Sequence, residues 1–254
     1  MSWDLEFRNI EIWGTVISII IPQSELRPAR FDSACNAALR YYQEIDERFS
    51  TYKEGSEVSA LRRGALAIGD SSPELKLVWN KCMELRDLTQ RAFDPWSVEG
   101  GFDPSGYVKG WAAEQSLRYF SEEGITRIQI NAGGDIVCRG GYDASTPWNI
   151  GIRHPDFADQ IAKNFEIFDG AIASSGTYER GAHVIDPRVG VPAVGARAAT
   201  AVGPDSGIAD ALATALIVDG RDSVNWIGNE AFRAYQFWAV DKYGDGAWSF
   251  RNTE

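Results

Sequence analysis

The sequence predicts an α+β fold: one compact unit over residues 1–254, with helices packed on a mostly antiparallel sheet. Three observations carry this. Short apolar runs with a period of two are interspersed with longer runs of three-to-four period. The two kinds do not alternate strictly, which argues against a doubly wound parallel sheet. No long linker, low-complexity run or clean repeat divides the 254 residues, and that length is enough to bury a full core.

Taken in order, LEFRNIEIWGTVISIII (5–21) reads as two strands broken near Trp13-Gly14-Thr15. Asp32 is expected to cap a first helix, with Ala38, Tyr42, Ile45 and Phe49 at helical spacing and Ser50-Thr51-Tyr52 ending it. Ser72, followed by Pro73, caps a second helix with the stripe Leu75, Trp79, Cys82, Leu85 and Leu88. A third helix is expected over about 106–123, stopped by Gly124. Residues 127–132 and 136–139 flank Gly133-Gly134-Asp135 as a hairpin, and 148–153 is a further strand. Residues 165–169 and 170–174 suggest another strand pair. Ser206 opens a helix through Val218, closed by Asp219-Gly220, and the C-terminal segment is a hairpin turned at Gly244-Asp245-Gly246.

The formal net charge of −11 argues against DNA or RNA as the main partner. Cys35, Cys82 and Cys138 are widely spaced with no CxxC pairing, so they read as buried reduced thiols. No apolar run is long enough to span a bilayer, and the first residues lack the pattern of an export signal. A cytoplasmic protein without a membrane segment is the expectation.

Several constellations carry chemistry. Asp210 and Thr214, four apart on a helix, present two hard oxygens to one side and suit a cation such as Mg²⁺. A solvated helix face has the same spacing. His183, one of two histidines, lies between a glycine-rich stretch and a Pro/Gly turn, as a general acid/base or a hydrogen-bonded structural residue. Ser174, Ser175, Tyr178 and Arg180 could hold phosphate oxygens or simply form a serine-rich turn. Asn131-Ala-Gly-Gly-Asp135 joins two strands rather than strand to helix, so it reads as a tight hairpin and not a nucleotide loop. AFDPWSVEGGFDPSGYVKGWAAE (92–114) holds two Phe-Asp-Pro copies nine residues apart, then a lone Lys109.

In this order the segments resemble the ApbE family, the FAD:protein FMN transferases. The resemblance rests on Trp13-Gly14-Thr15, FSTYKEGSEVSAL (49–61), AFDP (92–95), FDPSGYVKGWAAE (102–114), INAGGDIVCRG (130–140), WNIGIRHP (148–155), AIASSGTYER (171–180), HVIDPRVGVP (183–192) and ADALATAL (209–216). It implies a single ApbE-like domain that takes FAD as substrate with one or two Mg²⁺ and attaches FMN to a Thr or Ser of an acceptor protein with an FMN-binding domain, releasing AMP. It implies metal ligands at Gly106 (through its carbonyl), Asp210 and Thr214. Nucleotide contacts are implied at Asp94 with neighbouring Phe93, at Asp103 and at Lys109, a flavin-side ring at Tyr52, and a nucleotide neighbour at Ile185. Trp13 stands where the family has Met and could stack on flavin or adenine. Ser175 is grouped with the cofactor-binding residues, and His183 and Lys109 with the catalytic ones. The helical region the family carries between its two aspartate segments is missing here. FAD pyrophosphatase activity, giving FMN and AMP, and a non-catalytic flavin-binding protein are the alternatives.

Overall fold

The protein is described by a computed structural model over residues 3–157, 159–176, 184–244 and 246–251. Strands β1 (Leu5–Ile12) and β2 (Thr15–Pro22) lead into helix α1 (Pro28–Phe49), then α2 (Glu57–Arg62), α3 (Pro73–Leu88) and α4 (Ser105–Glu122). Next come β3 (Ile128–Ala132), β4 (Asp135–Arg139), β5 (Trp148–Arg153), β6 (Ile161–Ile167) and β7 (Gly170–Gly176). The short β8 (Ile185–Asp186) and β9 (Val191–Pro192) precede β10 (Ala196–Gly203), α5 (Ser206–Asp219), α6 (Val224–Ile227), β11 (Gln236–Asp241) and β12 (Ala247–Arg251). Among the described residues, one sheet runs β1-β2-β3-β4-β7-β10-β11-β12 with antiparallel neighbours throughout. This is the α+β architecture that the mixed periodicities predict.

The pleat sorts side chains into two cores. Along β4, β7, β10 and β11, Val137, Ala173, Ala201 and Ala239 join the core under the helices. Their neighbours Cys138, Ile172, Val202 and Val240 join a second core under the β5–β6 hairpin, with Trp148, Ile150, Ile152 and Ile167. Each large side chain so buried contributes about 1.5–3 kcal/mol of transfer free energy. Both faces of the central strands are therefore covered, by helices on one side and a hairpin on the other. The three cysteines are free and buried. Among the described residues, no helix is long and apolar enough to cross a membrane.

Several local expectations hold and two are corrected. Trp13 and Gly14 both take positive φ (55° and 68°), a two-residue turn that joins β1 to β2 with Ile12 opposite Thr15. The Ser72 side chain accepts the Leu75 N–H at 3.2 Å to cap α3, and Gly124 ends α4 at φ 79°. The first helix, however, starts at Pro28, not after Asp32, because proline suits the first helical position. Asp32 instead sits on the helix face, paired with Arg8 at 2.5 Å. Residues 165–169 and 170–174 do not pair with each other: β6 pairs with β5, and β7 lies between β4 and β10. Strand β10 and the one-and-a-half-turn α2 had no expectation at all.

Helix α5 is the innermost element. Twelve of its fourteen residues are buried, the pattern of a helix surrounded by protein. Ala209, Ala211, Ala213 and Ala215 keep it slim against β7 and β10, and glycine lets α4 cross it closely. A Cβ on Gly110 would stand 2.5 Å from the Ser206 carbonyl oxygen, and one on Gly207 would stand 2.7 Å from the Tyr107 ring. The Asp205 carboxylate caps α5 by accepting from Ile208 N at 2.7 Å, and Glu114 of α4 accepts from Ser206 N at 2.9 Å. Glu114 also binds Arg139 of β4 at 2.6 Å, so the start of α5 is tied to both α4 and the sheet.

Gly110→Ala is expected to push α4 off α5 and to cost about 1–3 kcal/mol, as overpacking does. Urea unfolding of the full chain measures this; an unchanged midpoint would mean the helices do not need their close crossing.

Candidate active site

The two Phe-Asp-Pro copies fold differently. The Phe93 and Phe102 rings are both buried, Phe102 against Trp79 and Trp96 with centroids 4.7 and 5.0 Å away. Asp94 has a side chain only 1% exposed, paired with Arg86 at 2.9 Å and Arg91 at 3.0 Å. Its second oxygen accepts from Trp96 N at 3.0 Å. Its carboxylate therefore closes the loop internally. Asp103 is half-buried, and one of its oxygens accepts from Ser105 N at 2.9 Å just before α4. The copies are joined directly, since Asp103 N donates to Pro95 O at 2.8 Å.

From this double loop α4 begins. Gly106, inside its first turn, leaves helical geometry (φ −80°, ψ 15°), which turns its peptide out of line with the rest of the helix. A Cβ there would lie 3.3 Å from the Phe93 ring and 3.7 Å from Thr214 Oγ1. Gly106, Phe93 and Thr214 therefore meet at one point. Thr214 Oγ1 is also 3.4 Å from Ser175 Oγ at the end of β7. Ser174 turns its hydroxyl the other way, to Thr200 at 2.9 Å.

One turn of α4 further on, Lys109 reaches between two carboxylates. Its Nζ donates to Asp135 Oδ2 in a short contact and to Asp210 Oδ2 at 3.2 Å. The three side chains are 26%, 3% and 8% exposed respectively. Burial pulls the Lys109 ammonium down, but Asp135 and then Asp210 outweigh it and raise its pKa. Burial, followed by the Asp210 charge, raises the Asp135 carboxyl above the usual carboxylate range, with Lys109 opposing. Asp135 was read from sequence as a turn residue only. A charged residue placed directly before the apolar run Ile136-Val137-Cys138 was the signal available to find it.

The turn of β1–β2 and the turn of β3–β4 sit side by side at this end of the sheet. A Cβ on Gly133 would be 2.7 Å from Thr15 Oγ1, and Asn131 Oδ1 accepts from Gly134 N at 2.9 Å. Trp13 is pinned to α1: its indole N–H donates to Tyr42 O at 3.1 Å, and its ring meets the Tyr42 ring edge-on. Tyr52, 97% exposed, stands free of the Lys109 cluster, and Ile185 is 44% exposed on the β8–β9 arm. That arm is held to the end of α5 by Arg188, which bonds Asp186 at 3.0 Å and Asp219 at 2.5 Å. His183, Tyr178 and Arg180 lie outside the described residues.

Gly106, Lys109, Ser175, Asp210 and Thr214 are thus gathered from α4, α5 and β7, and Asp135 joins them from β4. Among the described residues no group of three or more His, Cys, Asp or Glu is placed to hold a metal. The donors available at Asp210, Thr214 and the Gly106 carbonyl are all oxygens, which fits a small hard cation completing its shell with water or phosphate.

A family model described as the ApbE family matches residues 13–100 and 97–235. An FAD:protein FMN transferase of Klebsiella pneumoniae is 29% identical over 154 residues, 57% of this chain and 43% of that protein. One of Escherichia coli K12 is 32% identical over 154 residues, 56% of this chain and 43% of that protein. The chain therefore matches less than half the length of these relatives. The structure of the flavin transferase ApbE from Vibrio cholerae superposes with a TM-score of 0.82 at 22% identity, covering 98% of this chain and 97% of that one. The ApbE protein of Thermotoga maritima gives 0.82 at 22%, covering 96% of each. These likenesses show the fold.

Asp94→Asn is expected to destabilise the protein by about 1–3 kcal/mol, since it removes the charge that two arginines and a backbone N–H engage. Chemical denaturation measures the loss, and a shift below the error of the fit would contradict the internal role of this carboxylate.

Proposed function

The chain belongs to the ApbE family, and on that premise we propose that it moves FMN from FAD to a serine or threonine hydroxyl of an acceptor protein, with release of AMP. The observation that carries this reading is the convergence of Lys109, Asp210, Thr214, Ser175 and Gly106 at one end of the sheet. The names of the relatives, FAD:protein FMN transferase, support the same reaction class.

The chemistry follows from the charges. The acceptor oxygen attacks the phosphorus on the riboflavin side, a new P–O bond forms, and the bond from that phosphorus to the bridging oxygen breaks. AMP leaves with the bridging oxygen and its negative charge, and FMN stays linked to the acceptor as a phosphodiester. Asp210, Thr214 and the Gly106 carbonyl would hold Mg²⁺, one or two ions, which when bound neutralises charge on the pyrophosphate oxygens. Lys109 adds a fixed cation beside them, and the Ser175 hydroxyl offers a phosphate oxygen one hydrogen bond. His183 takes the proton from the attacking hydroxyl.

Asp103, Phe93, Trp13, Tyr52 and Ile185 are proposed to border the flavin nucleotide. Asp94, with its carboxylate engaged by Arg86 and Arg91, would contribute by shaping the loop rather than by accepting from the nucleotide. The acceptor is proposed to be a protein with an FMN-binding domain. Residues 1–254 are proposed to act as one domain in the cytoplasm, where free buried thiols persist.

The test combines the purified chain, FAD, MgCl2 and an FMN-binding acceptor domain, followed by in-gel flavin fluorescence under denaturing conditions. A fluorescent acceptor band is expected, reduced on the order of 100-fold by Asp210→Asn or by metal removal. Free FMN and AMP without a band would point to hydrolysis, and FAD left intact after Mg²⁺ addition to a flavin-binding protein without turnover.

A further inference from the structure

The lysine at the centre of the cluster has two counter-charges, and they are not equivalent. Lys109 Nζ makes its shorter contact with Asp135, which the proposed reaction does not use, and its longer one, 3.2 Å, with Asp210. Asp135 is the first residue of β4, paired with Ala132 of β3 and Ala173 of β7. It is thus fixed by strands on both sides and almost fully buried, with a side chain 3% exposed. Lys109 is the opposite: a compact charge on a flexible four-carbon stem, 26% exposed. A long stem of that kind takes its position from whatever rigid charge holds its tip.

We propose that Asp135 is a positioning residue that anchors the Lys109 ammonium on the sheet side of the cluster, so that lysine and a divalent cation share Asp210 instead of competing for it. The inference rests on the metal-dependent reading above. With all three groups ionised, the trio carries two negative charges and one positive, a net −1, and still attracts a cation. Without the Asp135 charge the net falls to zero, and Asp210 becomes, among the described residues, the one carboxylate left in contact with Lys109. The ammonium then closes on Asp210, and a divalent cation must displace it. Removing both Asp135 and Lys109 charges returns the net to −1, with Asp210 open.

The test is a double-variant cycle read by Mg²⁺ binding calorimetry on the full chain without FAD, with thermal unfolding recorded for each protein. Asp135→Asn is expected to weaken Mg²⁺ binding roughly 10–100-fold, the usual cost of losing a group behind a metal ligand. Asp135→Asn combined with Lys109→Met is expected to recover to within about threefold of wild type, an interaction that a purely structural role would not produce. A double variant as weak as Asp135→Asn overturns the proposal. Lys109→Met alone, which does not depend on how well Asp135→Asn folds, is expected to bind Mg²⁺ about tenfold more tightly by removing the competing charge; equal or weaker binding also overturns it. A wild type that binds no Mg²⁺ sinks the inference and the metal reading together. A wild type that shows the full cycle but labels no acceptor leaves the inference standing and sinks only the transferase reading.

Discussion

A buried ammonium is costly unless rigid elements hold counter-charges against it. Lys109 meets that condition because three elements converge on its tip. Helix α4 carries the lysine, β4 supplies Asp135 from inside the sheet, and α5 supplies Asp210. Helices α4 and α5 could not approach so closely with bulkier residues at their crossing. Gly110 lies one residue after the lysine and lets the backbone of α4 touch Ser206 at the start of α5. The charge cluster and the glycine contact are therefore two sides of one arrangement: the first needs the short distance that the second permits.

The same economy explains α5. A helix buried on nearly every side has no water to satisfy its first N–H groups, so they need protein acceptors. Asp205 and Glu114 provide them, and both are carboxylates at the positive end of the helix dipole. Glu114 is in turn neutralised by Arg139 of β4. Burial and the nearby Glu114 charge raise the Asp205 carboxyl, the electrostatic cost of placing two acids at one buried helix end. At the other end Asp219 accepts from the Trp226 indole and binds Arg188, which brings the β8–β9 arm against the helix terminus. α5 thus carries the oxygen donors on its middle turns and organises the neighbouring loops from its ends.

The repeated Phe-Asp-Pro segment shows how one local pattern serves two purposes. Both copies bury a phenylalanine and turn at a proline. In the first, the aspartate faces Arg86 and Arg91 and locks the loop; in the second, it is half-buried and accepts from Ser105 N where α4 starts. The first copy also delivers the Phe93 ring to Gly106, where a side chain would press on that ring and come within van der Waals reach of the Thr214 hydroxyl. The shape of the site at Gly106 therefore depends on the first copy even though its carboxylate is turned away.

By itself the sequence determined the elements that local rules encode. Period-two runs became antiparallel strands, Ser72-Pro73 began α3, Gly124 stopped α4, and Trp13-Gly14 made the turn between β1 and β2. The pattern of its motifs also pointed to the family and, within it, to Gly106, Lys109, Ser175, Asp210 and Thr214, which the fold gathers from distant stretches of chain. Tertiary structure alone decided which strands pair, so that β6 and β7 part into different layers although they are adjacent in sequence. It also decided that Asp94 is sealed while Asp103 is not, and that Asp135, unremarked in its hairpin turn, touches Lys109. The division has a physical reason. Helix stops, turn dihedrals and strand periodicity act over a few residues, whereas a carboxylate's role depends on which charges lie within a few ångströms once the chain has packed.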